Sequence, residues 1–176
     1  LVSDFYVGGD LQQFMARGNK LDVSSARLLA ARLILCLEYL HTKGFLYRDL
    51  KPENILISEN GCIFLADLGE CKRLLLHGKL TKTKSICGTL SYAAPEMLAG
   101  SEYGFSIDYW SLGVLLFHVV DGKLPLSSDE IHAISRDLEA NALRSPSKHN
   151  ITELEALPSL NLTFSAEQDP AFVDLV

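Results

Sequence analysis

One stretch constrains this chain more than any other. Residues 47–54 read YRDLKPEN, followed by a short apolar run, the turn Glu59-Asn60-Gly61, a second apolar run and then Asp67. Asn-Gly between two such runs is a strong hairpin signal, so strands are predicted over 55–58 and 62–66. A hairpin is a stiff connector. It holds Asn54, just before it, and Asp67, just after it, at a set separation. Asp49 lies five residues upstream of Asn54. Two carboxylates and an amide of this kind supply a base and two hard oxygen ligands, at the spacing a phosphoryl-transfer site needs.

Long helices are predicted on either side. Over 24–43, Ala26, Leu29, Ala30, Leu33, Leu37 and Leu40 recur at three- and four-residue steps. Ser24 or Ser25 would cap this helix and Gly44 would stop it. Further Leu and Ile residues on its flanks predict burial on most sides. His41, near its end, suits the helix dipole and is assigned no chemistry. A second buried helix is predicted over 106–121, with Leu112, Leu115, Leu116 and Val119 as its stripe. A third, amphipathic, covers 128–143, with Asp129 and Glu130 at its start. Gly8 and Gly9 precede a helix that starts near Asp10. Residues 144–163, with their Ser, Pro and Asn, read as a surface insert.

At 176 residues one domain is expected. The net charge of −6 and pI of about 5.3 argue against nucleic acid and suit a basic protein substrate. The cysteines, at 36, 62, 71 and 87, form no C-x-x-C pair, which disfavours a zinc site or disulfide framework. A reducing, intracellular setting is expected, with the cytoplasm first and the nucleus as the alternative. The most apolar run, 28–40, carries Arg32 and Glu38 and is too short to span a bilayer. No signal peptide and no membrane segment are read from the sequence.

YRDLKPEN resembles the catalytic loop of eukaryotic protein kinases, H-R-D-x-x-x-x-N, with Tyr47 for His. Asp67-Leu68-Gly69 stands where that family has D-F-G, and Ala94-Pro95-Glu96 supplies A-P-E. SICGTLSYAAPE, Tyr47 and the Gly-Gly-Asp at 8–10 resemble the AGC group of serine/threonine kinases. The resemblance covers residues 1–126. It implies a mainly α (α+β) fold, the large C-terminal lobe of a protein kinase with a small β-hairpin at the catalytic site. The chain carries no G-x-G-x-x-G loop and no V-A-I-K lysine. Residues 1–176 are therefore expected to be a partial kinase domain, hinge plus C-terminal lobe, cut at both ends.

The implied reaction is Mg²⁺-dependent transfer of the ATP γ-phosphate to a protein Ser or Thr, an activity of the parent protein. A pseudokinase scaffold and an ATP-binding regulatory module are the alternatives. By resemblance, Asp49 would accept the hydroxyl proton, Lys51 would steady the phosphate, and Asn54 and Asp67 would hold metal. Asp4 and Tyr6 would hydrogen-bond adenine through their main chains, with Leu56 as the floor beneath it and Glu53 close by. Asp10 would reach the ATP ribose or a substrate arginine, or would only cap its helix. Thr89 would hydrogen-bond Asp49 and line the acceptor pocket. Leu68 would be a packing position.

Residues between Lys72 and Ser85 read as a mobile polar loop. Ser85 aligns with the group's activating phosphorylation site, where an upstream kinase would act. Arg48 and Lys72 would pair with the phosphate there. Asp108 would accept backbone hydrogen bonds from the catalytic loop, besides capping its own helix. Glu96 would lack an arginine partner. His118 stands where the group commonly places a substrate-binding Glu, leaving Asp10 and Glu53 as anionic contacts for a basic substrate.

Overall fold

The computed structural model of the chain describes residues 5–76 and 78–144. Two long helices form its frame. Helix α2, Val23–Thr42, turns Ala26, Leu29, Ala30, Leu33 and Leu37 inward. Helix α4, Ser106–Asp121, buries Ile107, Leu112, Leu115, Leu116 and Val119 among others. Both stripes enter one core, which Leu11, Tyr47, Leu50, Ile55 and Tyr92 complete. The driving force is removal of this apolar area from water.

Two expectations about α2 are corrected. Its cap is Asp22, whose carboxylate accepts the Ser25 N–H at 2.8 Å and the Ser24 hydroxyl at 2.6 Å. An aspartate also complements the positive end of the helix dipole, which serine cannot. Nor is α2 buried on most sides. Leu28 and Leu35 are 54% and 64% exposed, because only one stripe of the helix meets α4 and the loop beneath it.

Before α2 lies the short helix α1, Leu11–Ala16. Six short strands form three antiparallel pairs among the described residues. Strand β1, Phe45–Leu46, pairs with β4, Lys72–Arg73. Strands β2, Ile55–Ile57, and β3, Ile63–Leu65, make the predicted hairpin with Ile55 opposite Leu65 and Ile57 opposite Ile63. Each is shorter than predicted because the next rung is shared with a side chain. The Ser58 Oγ accepts the Cys62 N–H at 3.0 Å. Gly61 supplies the positive φ of 75° that the turn demands.

Strands β5, Leu75–Leu76, and β6, Lys79–Leu80, pair within the stretch read as a mobile loop. Leu74, 1% exposed, anchors it. It joins Leu46, Ala94, Met97, Tyr103 and Ile107 in a second core cluster. Helix α3, Pro95–Leu98, contributes Met97 to that cluster.

Helix α5, Ser128–Arg144, matches its predicted extent to within a residue. Ser127 and Glu130 start it as a capping box: Glu130 Oε2 accepts the Ser127 N–H at 2.8 Å and Ser127 Oγ accepts the Glu130 N–H at 3.3 Å. The surface insert predicted from residue 144 onward otherwise lies outside the described residues. Among the described residues no helix is long and apolar enough to cross a membrane.

Candidate active site

The loop after β1 hangs from one buried carboxylate. Asp108, wholly buried in the first turn of α4, accepts the Tyr47 N–H at 2.9 Å and the Arg48 N–H at 2.8 Å. It does not cap its own helix. The cap position is Phe105, whose ring has no acceptor to offer, and the Asp108 oxygens are turned to the loop. The Tyr47 ring is fully buried and its hydroxyl donates to the Ala66 carbonyl at 2.5 Å, tying the loop to the far end of the hairpin. Burial first, then the Asp49 charge, pushes its phenol well above the ordinary range. Arg48 takes φ of 75°, a left-handed conformation costly for a side chain with a Cβ, and the bonds from its own N–H and that of Tyr47 to Asp108 hold it there.

This pinning presents Asp49. Its Oδ1 accepts both the N–H and the hydroxyl of Thr89, each at 3.0 Å. Its Oδ2 accepts Asn54 Nδ2 at 3.0 Å and pairs with Lys51 Nζ at 2.8 Å. Burial alone would raise the Asp49 pKa. The hydrogen bonds from Lys51, Thr89 and Asn54, with the Lys51 charge, outweigh burial and leave it below the usual carboxylate value. Lys51 also donates to Thr89 Oγ1 at 2.9 Å. Asn54 closes the 3-10 turn Pro52–Asn54 and donates again, to the Asp49 carbonyl at 2.8 Å. With its nitrogen engaged twice, its oxygen is the atom left to offer a cation.

Across the hairpin, the Ala66 N–H donates to the Asn54 carbonyl at 2.8 Å, and Asp67 is the next residue. Asp67 is exposed, holds φ of 53°, and its Oδ1 accepts the Gly69 N–H at 2.9 Å. The Asp67 charge, like that of Asp49, adds to the upward push on the Tyr47 phenol. No group of three or more His, Cys, Asp and Glu side chains gathers into a metal site among the described residues. A hard cation would find two oxygen donors here, Asn54 and Asp67, a set that suits Mg²⁺ completed by phosphate oxygens and water. Leu68, expected to be a packing position, is 60% exposed, because Asp67 turns the chain outward at its positive φ.

The remaining predicted residues fall in three places. Along the strap before α1, the Gly8 N–H donates to the Ile57 carbonyl at 3.0 Å and the Ile57 N–H to the Gly9 carbonyl at 2.8 Å. The Tyr6 ring packs on Phe64 at 4.8 Å, and Leu56 lies opposite Phe64 in the hairpin. Asp10 caps α1, with both oxygens 2.7 Å from Gln13 nitrogens. Asp4 lies outside the described residues. Glu53 is exposed in the 3-10 turn between Asp49 and Asn54. Glu96 accepts from the Ser106 hydroxyl at 3.4 Å.

The third place is around Ser85. Arg48 Nη1 donates to Ser85 Oγ at 2.8 Å while its Nε holds the Glu70 carbonyl at 2.6 Å. Lys72 Nζ donates to Thr83 Oγ1 at 2.6 Å, which lies 3.3 Å from Ser85 Oγ. The Tyr103 hydroxyl donates to the Ser85 carbonyl. Sequence reasoning did not single out Thr83 or Tyr103.

It also left His41 without a role. His41 Nε2 lies 2.7 Å from Asp108 Oδ2, and its ring packs on Phe105 at 4.6 Å. The signal was present: His41 follows Leu37 by four residues, on the buried face of α2. It acts as a third hand on the carboxylate that hangs the loop.

A family model described as "Protein kinase domain" matches residues 1–169. Protein kinase C zeta type of Oryctolagus cuniculus is 47% identical over 125 residues, covering 71% of this chain and 21% of that protein. Atypical protein kinase C of Drosophila melanogaster is 47% identical over 124 residues, covering 70% of this chain and 20% of that protein. The chain thus spans about a fifth of the length of these curated relatives.

Proposed function

The chain belongs to the protein kinase domain family, and from that premise we propose that its parent protein is a serine/threonine kinase whose hinge and large C-terminal lobe lie within residues 1–176. The observation that carries the proposal is the environment of Asp49. A nearly buried carboxylate held ionised by Lys51, Asn54 and Thr89 has one fitting task beside a hydroxyl acceptor. It aims the hydroxyl and takes its proton. A carboxylate below its ordinary pKa is a weak base, so orientation comes first and the proton moves late, once the oxygen has begun to bond phosphorus.

Lys51 lies between Asp49 and Thr89, where its charge would offset that gathering on the transferred group. Thr89 would form one wall of the acceptor pocket. Tyr6 and Leu56 would contact adenine. Asn54 and Asp67 would hold Mg²⁺, which when bound neutralises charge on the β- and γ-phosphates of ATP. The net charge of −6 favours basic substrates, in the cytoplasm or nucleus.

Ser85 would be the regulatory site. A phosphate there would bring nearly two negative charges to a place already lined by Arg48, Lys72, Thr83 and Tyr103. Arg48 follows Tyr47 in the catalytic loop, so the phosphate would brace the backbone that carries Asp49. Ser85→Ala, assayed in the parent protein with its upstream kinase present, is expected to lower activity. Unchanged activity would remove Ser85 from the account.

The function itself is tested with the intact parent protein, MgATP and a serine peptide, alongside Asp49→Ala. Transfer lost on mutation supports the enzyme. No transfer, with stabilisation by nucleotide, would make the parent an ATP-binding regulatory module; neither signal would make it a scaffold.

A further inference from the structure

Tyr103 lies in the connection between α3 and α4. It is 2% exposed, and its ring belongs to the second core cluster with Leu46, Leu74, Met97 and Ile107. A ring so placed is core, but a phenol also carries one polar atom that needs a partner. Here that atom faces a chain segment. The hydroxyl donates to the Ser85 carbonyl. Its oxygen stands 3.4 Å from Arg48 Nη1 and 3.4 Å from Ser85 Oγ. The main chain of Tyr103 bonds the same segment twice more. Its carbonyl accepts the Thr83 N–H at 3.1 Å, and its own N–H donates to the Thr83 carbonyl at 2.9 Å.

One residue thus holds positions 83 and 85. Four residues beyond Ser85 comes Thr89, whose N–H and hydroxyl both donate to Asp49 Oδ1 at 3.0 Å. The span between them is packed. Cys87 lies against the cluster that contains the Tyr103 ring. Gly88 sits so close to the catalytic loop that a Cβ on it would meet the Arg48 carbonyl at 2.5 Å. A short span packed at this density cannot absorb a shift at Ser85 before Thr89 feels it.

We propose that Tyr103 is a positioning residue for phosphoryl transfer: its hydroxyl, through the Ser85 carbonyl, fixes the segment that brings Thr89 onto Asp49. It acts through that segment and touches no reacting group. The bond is to the Ser85 main chain, so it is separate from whatever the Ser85 side chain carries. The inference rests on the kinase reading above.

The test is Tyr103→Phe in the intact parent, assayed with MgATP and a serine peptide. The change removes the hydroxyl and keeps the ring in the core. Wild type and variant are compared at equal Ser85 phosphorylation, read by mass spectrometry. We expect kcat to fall about fivefold, the order of one hydrogen bond, with nucleotide KM unchanged. Added to Thr89→Val, the same change should lower kcat by less than about twofold, since the hydroxyl grip it supports is already gone. A fraction of unfolded enzyme would instead multiply with the Thr89→Val loss. Replacing Tyr103 by 4-aminophenylalanine, which keeps a donor at the same place on the ring, should restore the wild-type kcat.

Wild-type kcat in Tyr103→Phe overturns the inference and leaves the kinase reading standing. So does an undiminished loss on top of Thr89→Val. If Tyr103→Phe fails to fold, the 4-aminophenylalanine protein decides: wild-type kcat supports the hold, and a fall in kcat contradicts it. Absence of transfer by the wild type overturns both readings.

Discussion

Asp108 is wholly buried, and its carboxylate accepts from the Tyr47 N–H and the Arg48 N–H and meets the His41 ring. Removing a buried acceptor leaves each of those groups without a partner, which costs more than the bonds themselves contributed. Asp108→Asn keeps the shape and one acceptor oxygen but turns an NH₂ toward a donor. We expect it to lower unfolding free energy by about 1–3 kcal/mol, read from denaturant melts. We also expect a larger loss in kcat than in nucleotide KM, since the loop that presents Asp49 hangs from this residue. Wild-type stability and kcat would show that the loop holds itself.

At the scale of elements, two glycines separate strain from collision. Both Gly61 and Gly88 hold positive φ, 75° and 73°. A Cβ on Gly61 would meet nothing within 4 Å; one on Gly88 would meet the Arg48 carbonyl at 2.5 Å and Asp49 Oδ1 at 3.2 Å. Gly61→Ala should cost about 1 kcal/mol of stability and leave kcat alone. Gly88→Ala should cost as much and also displace the catalytic loop, lowering kcat by about tenfold to a hundredfold. Equal kcat in the two variants would contradict the close packing of that segment on Asp49. The hairpin, α4 and α5 were legible because their signals are local: Asn-Gly, a 3.6-residue stripe, acidic residues in a first turn. The β5–β6 pair was not, since each strand is only two residues long, set in a basic, polar stretch, and the anchoring Leu74 is held by residues distant in sequence. The α2 cap was misread because Asp22, Ser24 and Ser25 are all good cap residues, and only the bond geometry chooses among them.

For the molecule as a whole, the active-site residue types were legible, and so, through the family resemblance, were the supports from Asp108 and Thr89; the remaining supports were not. Asp49, Asn54 and Asp67 stand in a short, ordered run of sequence, whereas His41, Thr83 and Tyr103 reach the site across long stretches of chain. The same electrostatics set the pH dependence of stability. The Asp49 pKa is depressed on folding, so its contribution is present above its unfolded value and lost as pH falls through the folded one. His118 is also depressed; the folded state holds fewer protons than the unfolded, so stability rises with pH toward 6.5. The urea midpoint is therefore expected to rise from about pH 5 to 6.5, and His118→Gln should flatten that rise. A wild-type midpoint that falls over this range would reverse the sign and contradict the burial of His118.

The most direct measurement is steady-state transfer of the γ-phosphate from MgATP to a serine peptide by the intact parent protein, wild type against Asp49→Asn. That change keeps the shape of the side chain and removes its charge and its ability to take a proton. Loss of about 10²–10⁴ in kcat with nucleotide KM nearly unchanged is the predicted result. A variant that transfers phosphate at the wild-type rate would contradict the assignment of this site.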